Sequence, residues 1–506
     1  MRRAQPRDTA SARCWAGRRY AHLIERRTKI VATIGPASKD PEVLRRMIDA
    51  GVDVARLNFS HGTPAEHAEA VELVRDAANA VGRPVAVLGD LPGPKLRVSK
   101  LENDLVMLES GRELTLSTEV EEGRLGTARH LFVEAPQLAE AVAPGEIIYL
   151  ADGKLRLRVT AVRPEHGEID ASVELGGALA SRQGLNVPGE ASVLPAVGRD
   201  DIELLRAGER MRIDLVALSF VRSAEDVDAV RKETRLPLIS KIEKPQAVER
   251  QEEIIAASDL IMVARGDLGI ELPIEQMPIV QKRLLRAAGR LARPSITATQ
   301  MLDSMVTSSR PTRAEATDVA NAILDGTDAV MLSQETAVGA FPVEAVAMLD
   351  AIARFTEPEA PYREWNSERV TRAKVGPDYT VAHAACEAAR TLGLDALIVP
   401  TLSGRTARIL SAHRPTVPIL ALSPGHETVR RCGTFWGVRA ASIERHATTE
   451  GLIADATRRV IELGWCRPGM RVGVTAGLPS AKPGSTSLLQ VMVLGEAGAP
   501  WQDWQH

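Results

Sequence analysis

The chain has 506 residues, 44% hydrophobic and 25% charged, a balance that excludes a disordered polypeptide and fits about three domains. Its formal net charge of -3 conceals 11 lysines against 52 arginines, yet 66 acidic residues spread along the chain deny those arginines a nucleic-acid footprint. No apolar run approaches the roughly 18–20 residues of a membrane span, and the four cysteines (Cys14, Cys386, Cys432, Cys466) lack C-x-x-C spacing, which suits free thiols in a reducing cytoplasm.

Residues 1–26 are basic and acid-poor, with Arg2, Arg3, Arg7, Arg13, Arg18, Arg19 and Arg26 against only Asp8 and Glu25. An organellar transit peptide has that composition, but arginine abounds throughout this chain, so the stretch reads as a disordered leader or an early start. From Lys29 onward, short apolar runs alternate with amphipathic helical patterns. The runs are Ile30–Ile34, Val54–Phe59, Val85–Leu88, Leu215–Phe220, Leu238–Ile242, Leu260–Ala264, Ser295–Ala298 and Ala329–Leu332. After the first, Asp40 is placed to N-cap a helix with Pro41 at its first position. Val43, Leu44, Met47 and Ile48 form its buried stripe, and Gly51 stops it. The segments Ala224–Glu233 and Ile274–Ala292 read as helices in the same way. Eight such runs are the pattern of a (β/α)8 TIM barrel, whose parallel strands are buried on both faces.

Neighbouring runs lie roughly 25–35 residues apart, as βαβ units require, but the third and fourth are separated by about 130. The surplus has alternating short runs (Leu114–Leu116, Ile147–Leu150, Leu155–Val159) with Gly and Pro turns, so a small β-barrel lid is expected over the barrel mouth. Beyond Glu357, Pro358, Pro361 and Pro377 mark a linker before strands at Ala396–Val399, Ile419–Leu422 and Val472–Thr475 alternate with helices. The expected organisation is α/β throughout: a leader (1–26), a TIM barrel (27–94 and 185–356), the inserted lid (95–184) and a C-terminal open α/β domain (357–506).

Barrel chemistry belongs at the C-terminal ends of strands. Run two ends Arg56-Leu57-Asn58-Phe59-Ser60-His61 and run three reaches Asp90. Run five ends Lys241-Ile242-Glu243, which puts an ammonium and a carboxylate on one face. Run six ends Arg265-Gly266-Asp267, run seven at Thr299 and run eight at Glu335. Glu243 and Asp267 suit a divalent ion with hard oxygen ligands, while Lys241 and Arg56 would offset phosphoryl charge. The Gly266–Asp267 turn at a helix start offers backbone N–H groups to an anion.

The strings TKIVATIGPAS (from Thr28), ARLNFSHG (from Ala55), ISKIEKP (from Ile239), MVARGDLGIE (from Met262), ITATQMLDSM (from Ile296), RPTRAEATDVANAILDG (from Arg310) and MLSQETA (from Met331) closely resemble the pyruvate kinase family, in order from about residue 27 to 500. The resemblance implies Mg2+- or Mn2+-dependent phosphoryl transfer from phosphoenolpyruvate to ADP, giving pyruvate and ATP. It implies that Glu243 and Asp267 hold the metal and that Lys241 stabilises the transferring phosphoryl group and the enolate. Arg56 would contact the substrate phosphate, Thr299 would serve proton delivery to the enolate, and the amides of Gly266 and Asp267 would hold the substrate carboxylate. Asn58, His61 and Arg97 lie where the family contacts nucleotide and phosphate. A cytoplasmic homotetramer, binding neither nucleic acid nor membrane, is expected on the same ground.

One departure stands out. Where most of the family reads D-T-K-G-P-E-I-R, this chain has Asp90-Leu91-Pro92-Gly93-Pro94-Lys95-Leu96-Arg97. In potassium-activated members the positions of Asn58, Ser60, Asp90 and the Leu91 carbonyl surround K+. An ammonium at Lys95 about 4 Å from Asp90 would gain on the order of 4 kcal/mol at an effective dielectric of 20, before desolvation. K+ is therefore expected to be dispensable. In the third domain Thr401, Ser403, Gly404, Arg405 and Thr406 match the family's effector loop, and a second Gly-rich loop (Lys482–Thr486) is placed to close over a phosphorylated effector. Two rivals share parts of this pattern: a Mg2+-dependent barrel lyase acting on a pyruvate enolate, which has no use for the lid, and a non-catalytic metabolite-binding regulator, which would need a lesion among Lys241, Glu243, Asp267 and Thr299.

Overall fold

A computed structural model describes residues 26–93, 96–119, 123–135, 138–151, 153–187, 196–362, 364–365, 376–477 and 486–495. The leader as far as Glu25, Lys95 and most of the 482–486 loop lie outside those residues. Eight parallel strands, Lys29–Thr33, Val54–Asn58, Ala86–Asp90, Leu215–Leu218, Leu238–Ile242, Leu260–Ala264, Ser295–Ala298 and Ala329–Leu332, close into a barrel with each neighbour paired in sequence order and the eighth beside the first. Val31, Leu88, Ala217, Ile239, Met262, Ile296 and Met331 fill its interior, and alternate residues such as Ile30, Leu57, Val216 and Ile261 face the helical ring. Asp40 caps the first helix, its Oδ1 accepting the amides of Glu42 and Val43 at 3.0 Å, and Gly51 ends it at a φ of 130°. The expected Ile274–Ala292 helix divides into a 3-10 turn at Ile274–Gln276 and a helix from Met277 to Arg290.

Two boundaries need correction. Arg26, assigned to the leader, is seated in the barrel floor, where it pairs with Asp53 and Asp350 at 2.9 Å. Leu185 and Asn186, assigned to the barrel, form the return strand of the inserted domain, and Leu185 and Val187 pack in its core. Among the described residues that domain is a six-stranded sheet with a two-stranded ribbon, wrapped on Leu116, Leu131, Ile148, Leu157 and Ile169. The C-terminal domain is a five-stranded sheet, parallel except for its last strand. Two of its strands, Val438–Ser442 and Thr486–Val493, are additional to those expected. Arg414 docks this domain on the barrel floor: fully buried, it pairs with Asp328 at 2.9 Å and lies 4.4 Å from the Trp436 ring centroid. No helix of the described residues is long and apolar enough to cross a membrane.

Candidate active site

Strand five delivers Lys241 to the C-terminal mouth of the barrel, and the chain turns there into Glu243. The Lys241 Nζ lies 3.5 Å from Asp90 Oδ1 and 3.5 Å from Glu243 Oε2, and donates to Ser219 Oγ at 2.7 Å. Burial alone would lower the lysine, but Asp90, Glu243 and Asp267 outweigh it and hold the ammonium protonated. Strand pairing sets Asn58 beside Asp90, and Arg56, two residues earlier, reaches across to it. The Arg56 Nε donates to Asp90 Oδ2 at 2.8 Å, and its Nη1 donates to Thr33 Oγ1 at 3.0 Å. Burial would raise the Asp90 carboxyl; Lys241 and Arg56 overcome it and keep the group below the ordinary carboxylate range.

Glu243 is in the opposite position. Its Oε1 accepts the Phe220 amide at 2.6 Å, while Oε2 is buried with no hydrogen-bond partner. Burial first, then repulsion from Asp267 and Asp90, pushes its carboxyl up to about 7 against the pull of Lys241. A buried carboxylate with an orphaned oxygen fits a cation. Among the described residues no group of three or more His, Cys, Asp or Glu side chains is placed to hold a metal ion by itself; Glu243 and Asp267, the latter in the first turn of helix Arg265–Glu271, are the candidate pair. Two carboxylates are enough for a hard divalent cation that completes its shell from substrate and water.

Just past strand seven the backbone is strained. Thr299 has φ 69° and Gln300 φ 53°, costly values for a β-branched residue above all. The turn aims Thr299 Oγ1 at Gly266, whose amide it accepts at 2.8 Å, while it donates to Ala298 O at 2.6 Å. Arg265 braces the turn through the carbonyls of Ala298 and Thr299 and a 2.7 Å bond to Asp318.

The structure thus brings together Arg56, Asp90, Lys241, Glu243, Asp267, Gly266 and Thr299. Ser60 sits in the turn after strand two, its amide donating to Asn58 Oδ1 at 3.2 Å, and the His61 carbonyl meets His67 Nε2 at 2.8 Å. Arg97 stands on the inserted domain, where it donates to the Arg182 carbonyl at 3.0 Å. The Leu91 carbonyl accepts Ser219 Oγ at 2.7 Å. In the third domain the Arg405 guanidinium is held by Asp378 at 2.7 Å and faces Tyr379, Thr401 Oγ1 accepts the Gly404 amide at 3.0 Å, Ser403 is exposed, and Thr406 meets Thr486.

Sequence reasoning missed Ser219 and Phe220, which directly follow strand four. Ser219 links the Lys241 ammonium to the chain leaving strand three, and Phe220, at φ 56°, presents its amide to Glu243. A polar residue closing an apolar run was the available signal, and it was read on the six other strands that end in polar groups but not on this one.

Family models described as "Pyruvate kinase, barrel domain" and "Pyruvate kinase, alpha/beta domain" match residues 25–346 and 379–492. The chain is similar to a pyruvate kinase of Geobacillus stearothermophilus, 41% identical over 486 residues that cover 95% of this chain and 82% of that protein. One from Staphylococcus saprophyticus is 40% identical over 484 residues, covering 94% and 82%. A crystal structure of a pyruvate kinase from Cryptosporidium parvum superposes with a TM-score of 0.86 at 32% identity, covering 92% of this chain and 96% of that one.

Proposed function

We propose that the rim cluster around Lys241 carries the reaction of the pyruvate kinase family, to which the chain belongs: metal-dependent transfer of a phosphoryl group from phosphoenolpyruvate to ADP. The observation that bears most weight is the ammonium held between Asp90 and Glu243 at 3.5 Å from each. Glu243 and Asp267 would hold Mg2+ or Mn2+, which when bound supplies Lewis-acid polarisation of phosphoryl and enolate oxygens. The remaining work falls to the chain itself. Arg56 and Lys241 face the substrate phosphate with charge already oriented by Asp90, so little reorganisation is needed as the phosphoryl group passes to ADP. Lys241 then stabilises the enolate oxygen left behind. The amides of Gly266 and Asp267 receive the substrate carboxylate, which at Gly266 must displace the Thr299 hydroxyl. The freed hydroxyl is then available to deliver a proton to the methylene carbon, giving pyruvate. Asn58, His61 and Arg97 serve the nucleotide from the strand-two turn and the inserted domain.

K+ is dispensable in this reading. Asn58, Ser60, Asp90 and Leu91 form the monovalent-cation position, with the Lys95 ammonium as substitute. The two cations already on Asp90 and the Ser219 hydroxyl on the Leu91 carbonyl support it. Thr401, Ser403, Gly404, Arg405 and Thr406 form the cradle for a phosphorylated effector in a cytoplasmic homotetramer. A coupled assay of pyruvate formed from phosphoenolpyruvate and ADP tests the site: Lys241→Ala should lower kcat by about 10²–10³-fold. A variant with wild-type kcat would refute the assignment. The same assay with tetramethylammonium in place of K+ should show little change; a loss of tenfold or more would restore K+ to the site.

A further inference from the structure

Lys244 is a rare residue in an arginine-rich chain, and no role above uses it. Its ammonium is almost fully buried in an ion pair with Glu271, donates to Asn186 Oδ1 at 3.0 Å and lies 5.5 Å from the Phe220 ring centroid. The Asn186 Nδ2 donates to the same Glu271 Oε1 at 2.8 Å. One carboxamide therefore serves both members of the pair, its oxygen toward the cation and its nitrogen toward the anion. The three residues come from different parts of the fold. Lys244 directly follows Glu243, Glu271 ends the helix whose first turn carries Asp267, and Asn186 lies on the return strand of the inserted domain.

We infer that Asn186, Lys244 and Glu271 are positioning residues that fasten the inserted domain to both elements bearing the metal carboxylates, so that seating the lid and setting Glu243 and Asp267 are one event. The inference rests on the reading of those two carboxylates as metal ligands. Stability does not explain such a cluster, because burying two charges costs more than an apolar trio of equal volume. Orientation does: a bare Lys–Glu pair can rotate, whereas a carboxamide bonded to both partners fixes their relative angle. Glu271 Oε2 is buried without a hydrogen-bond partner, so the carboxylate is held on one oxygen, the one that Asn186 and Lys244 share. A lysine suits the slot beneath Phe220 because it offers a compact charge where a planar guanidinium would need more room.

Asn186→Ala leaves the ion pair but takes a hydrogen bond from each of its buried members, so the thermal midpoint should fall less than in Lys244→Gln, while kcat falls about tenfold from misplacement of the lid and carboxylates. Pyruvate should also exceed ATP, because an ill-seated lid admits water to the phosphoryl group. Lys244→Gln with Glu271→Gln removes both charges at once; it should regain most of the stability that Lys244→Gln alone loses, without regaining kcat. Wild-type kcat with one pyruvate per ATP in Asn186→Ala would overturn the proposal, as would activity that returns together with stability in the double variant. Glu243→Gln separates the underlying assumption: unchanged Mn2+ affinity there would fell the metal reading and the proposal with it, whereas lost affinity beside an unimpaired Asn186→Ala would overturn the tie alone.

Discussion

Glu243 and Asp90 lie on either side of one ammonium yet are driven in opposite directions, and the difference would decide how the proposed site meets a metal. Asp90 has two cations and is kept ionised. Glu243 has one, is buried beside two like charges, and is raised to about 7. For an acid raised in this way the neutral form prevails below about pH 7 and the charged form above it, so a dication must displace a proton on the acidic side. Metal binding to the free enzyme should then weaken about tenfold for each pH unit below 7 and level off above it, with a proton released on binding. Mn2+ titrations followed by electron paramagnetic resonance at pH 6, 7 and 8 read this directly. Affinity constant over that range would mean a carboxylate already ionised without metal.

At the scale of elements, the junction between barrel and inserted domain depends on one helix start. Asp201, in the first turn of helix Arg199–Arg210, accepts the Gly93 amide at 3.0 Å on one oxygen and the Gly198 amide at 2.9 Å on the other. Gly93 stands where the chain leaves the barrel and Gly198 where it comes back. Gly93 also has φ 65°, and a Cβ there would come 2.8 Å from the Phe220 ring. Asp201→Asn turns an amide nitrogen toward one of these donors and leaves a partly buried N–H unpaired, a cost of about 1 kcal/mol. Urea unfolding should report that loss, and hydrogen exchange should quicken at residues 91–93 and 196–198 while the barrel strands keep their protection. The barrel itself was legible because strands buried on both faces are continuous apolar runs, and the Asp40–Pro41 and Gly51 signals mark a helix by local chemistry alone. Val438–Ser442 was not legible, since Val-Arg-Ala-Ala-Ser has neither alternation nor β-branched density. Nor were Asp201, Ser219 and Asn186, whose roles depend on partners 108, 22 and 85 residues away. Lys241, Glu243 and Asp267 could be read because strand ends in a barrel converge by construction.

Across the whole molecule, one route between the proposed effector cradle and the barrel runs along the short helix Arg405–Ala412. Its first residue belongs to the cradle, and two residues past its end Arg414 enters the barrel floor against Asp328, which immediately precedes strand eight and also accepts Ser295 at the start of strand seven. Midway, Arg408 donates to the Ala292 carbonyl at 2.8 Å. An anion that draws Arg405 away from Asp378 would act on a helix with no slack at its other end, because a fully buried guanidinium packed on Trp436 cannot slide without exposing Asp328. Two substitutions separate binding from transmission. Arg405→Ala should abolish activation by sugar phosphates and nucleoside monophosphates through lost binding, with only a modest loss of stability because the guanidinium on Asp378 is itself half-exposed. Arg414→Met leaves the cradle intact but uncouples a buried carboxylate, costing about 3–5 kcal/mol of stability. Effector should still bind to it, as calorimetry would show, yet no longer lower the apparent KM for phosphoenolpyruvate. Activation retained in Arg414→Met would place the route between the two sites outside this helix, and activation retained in Arg405→Ala would remove the cradle from the 401–406 loop.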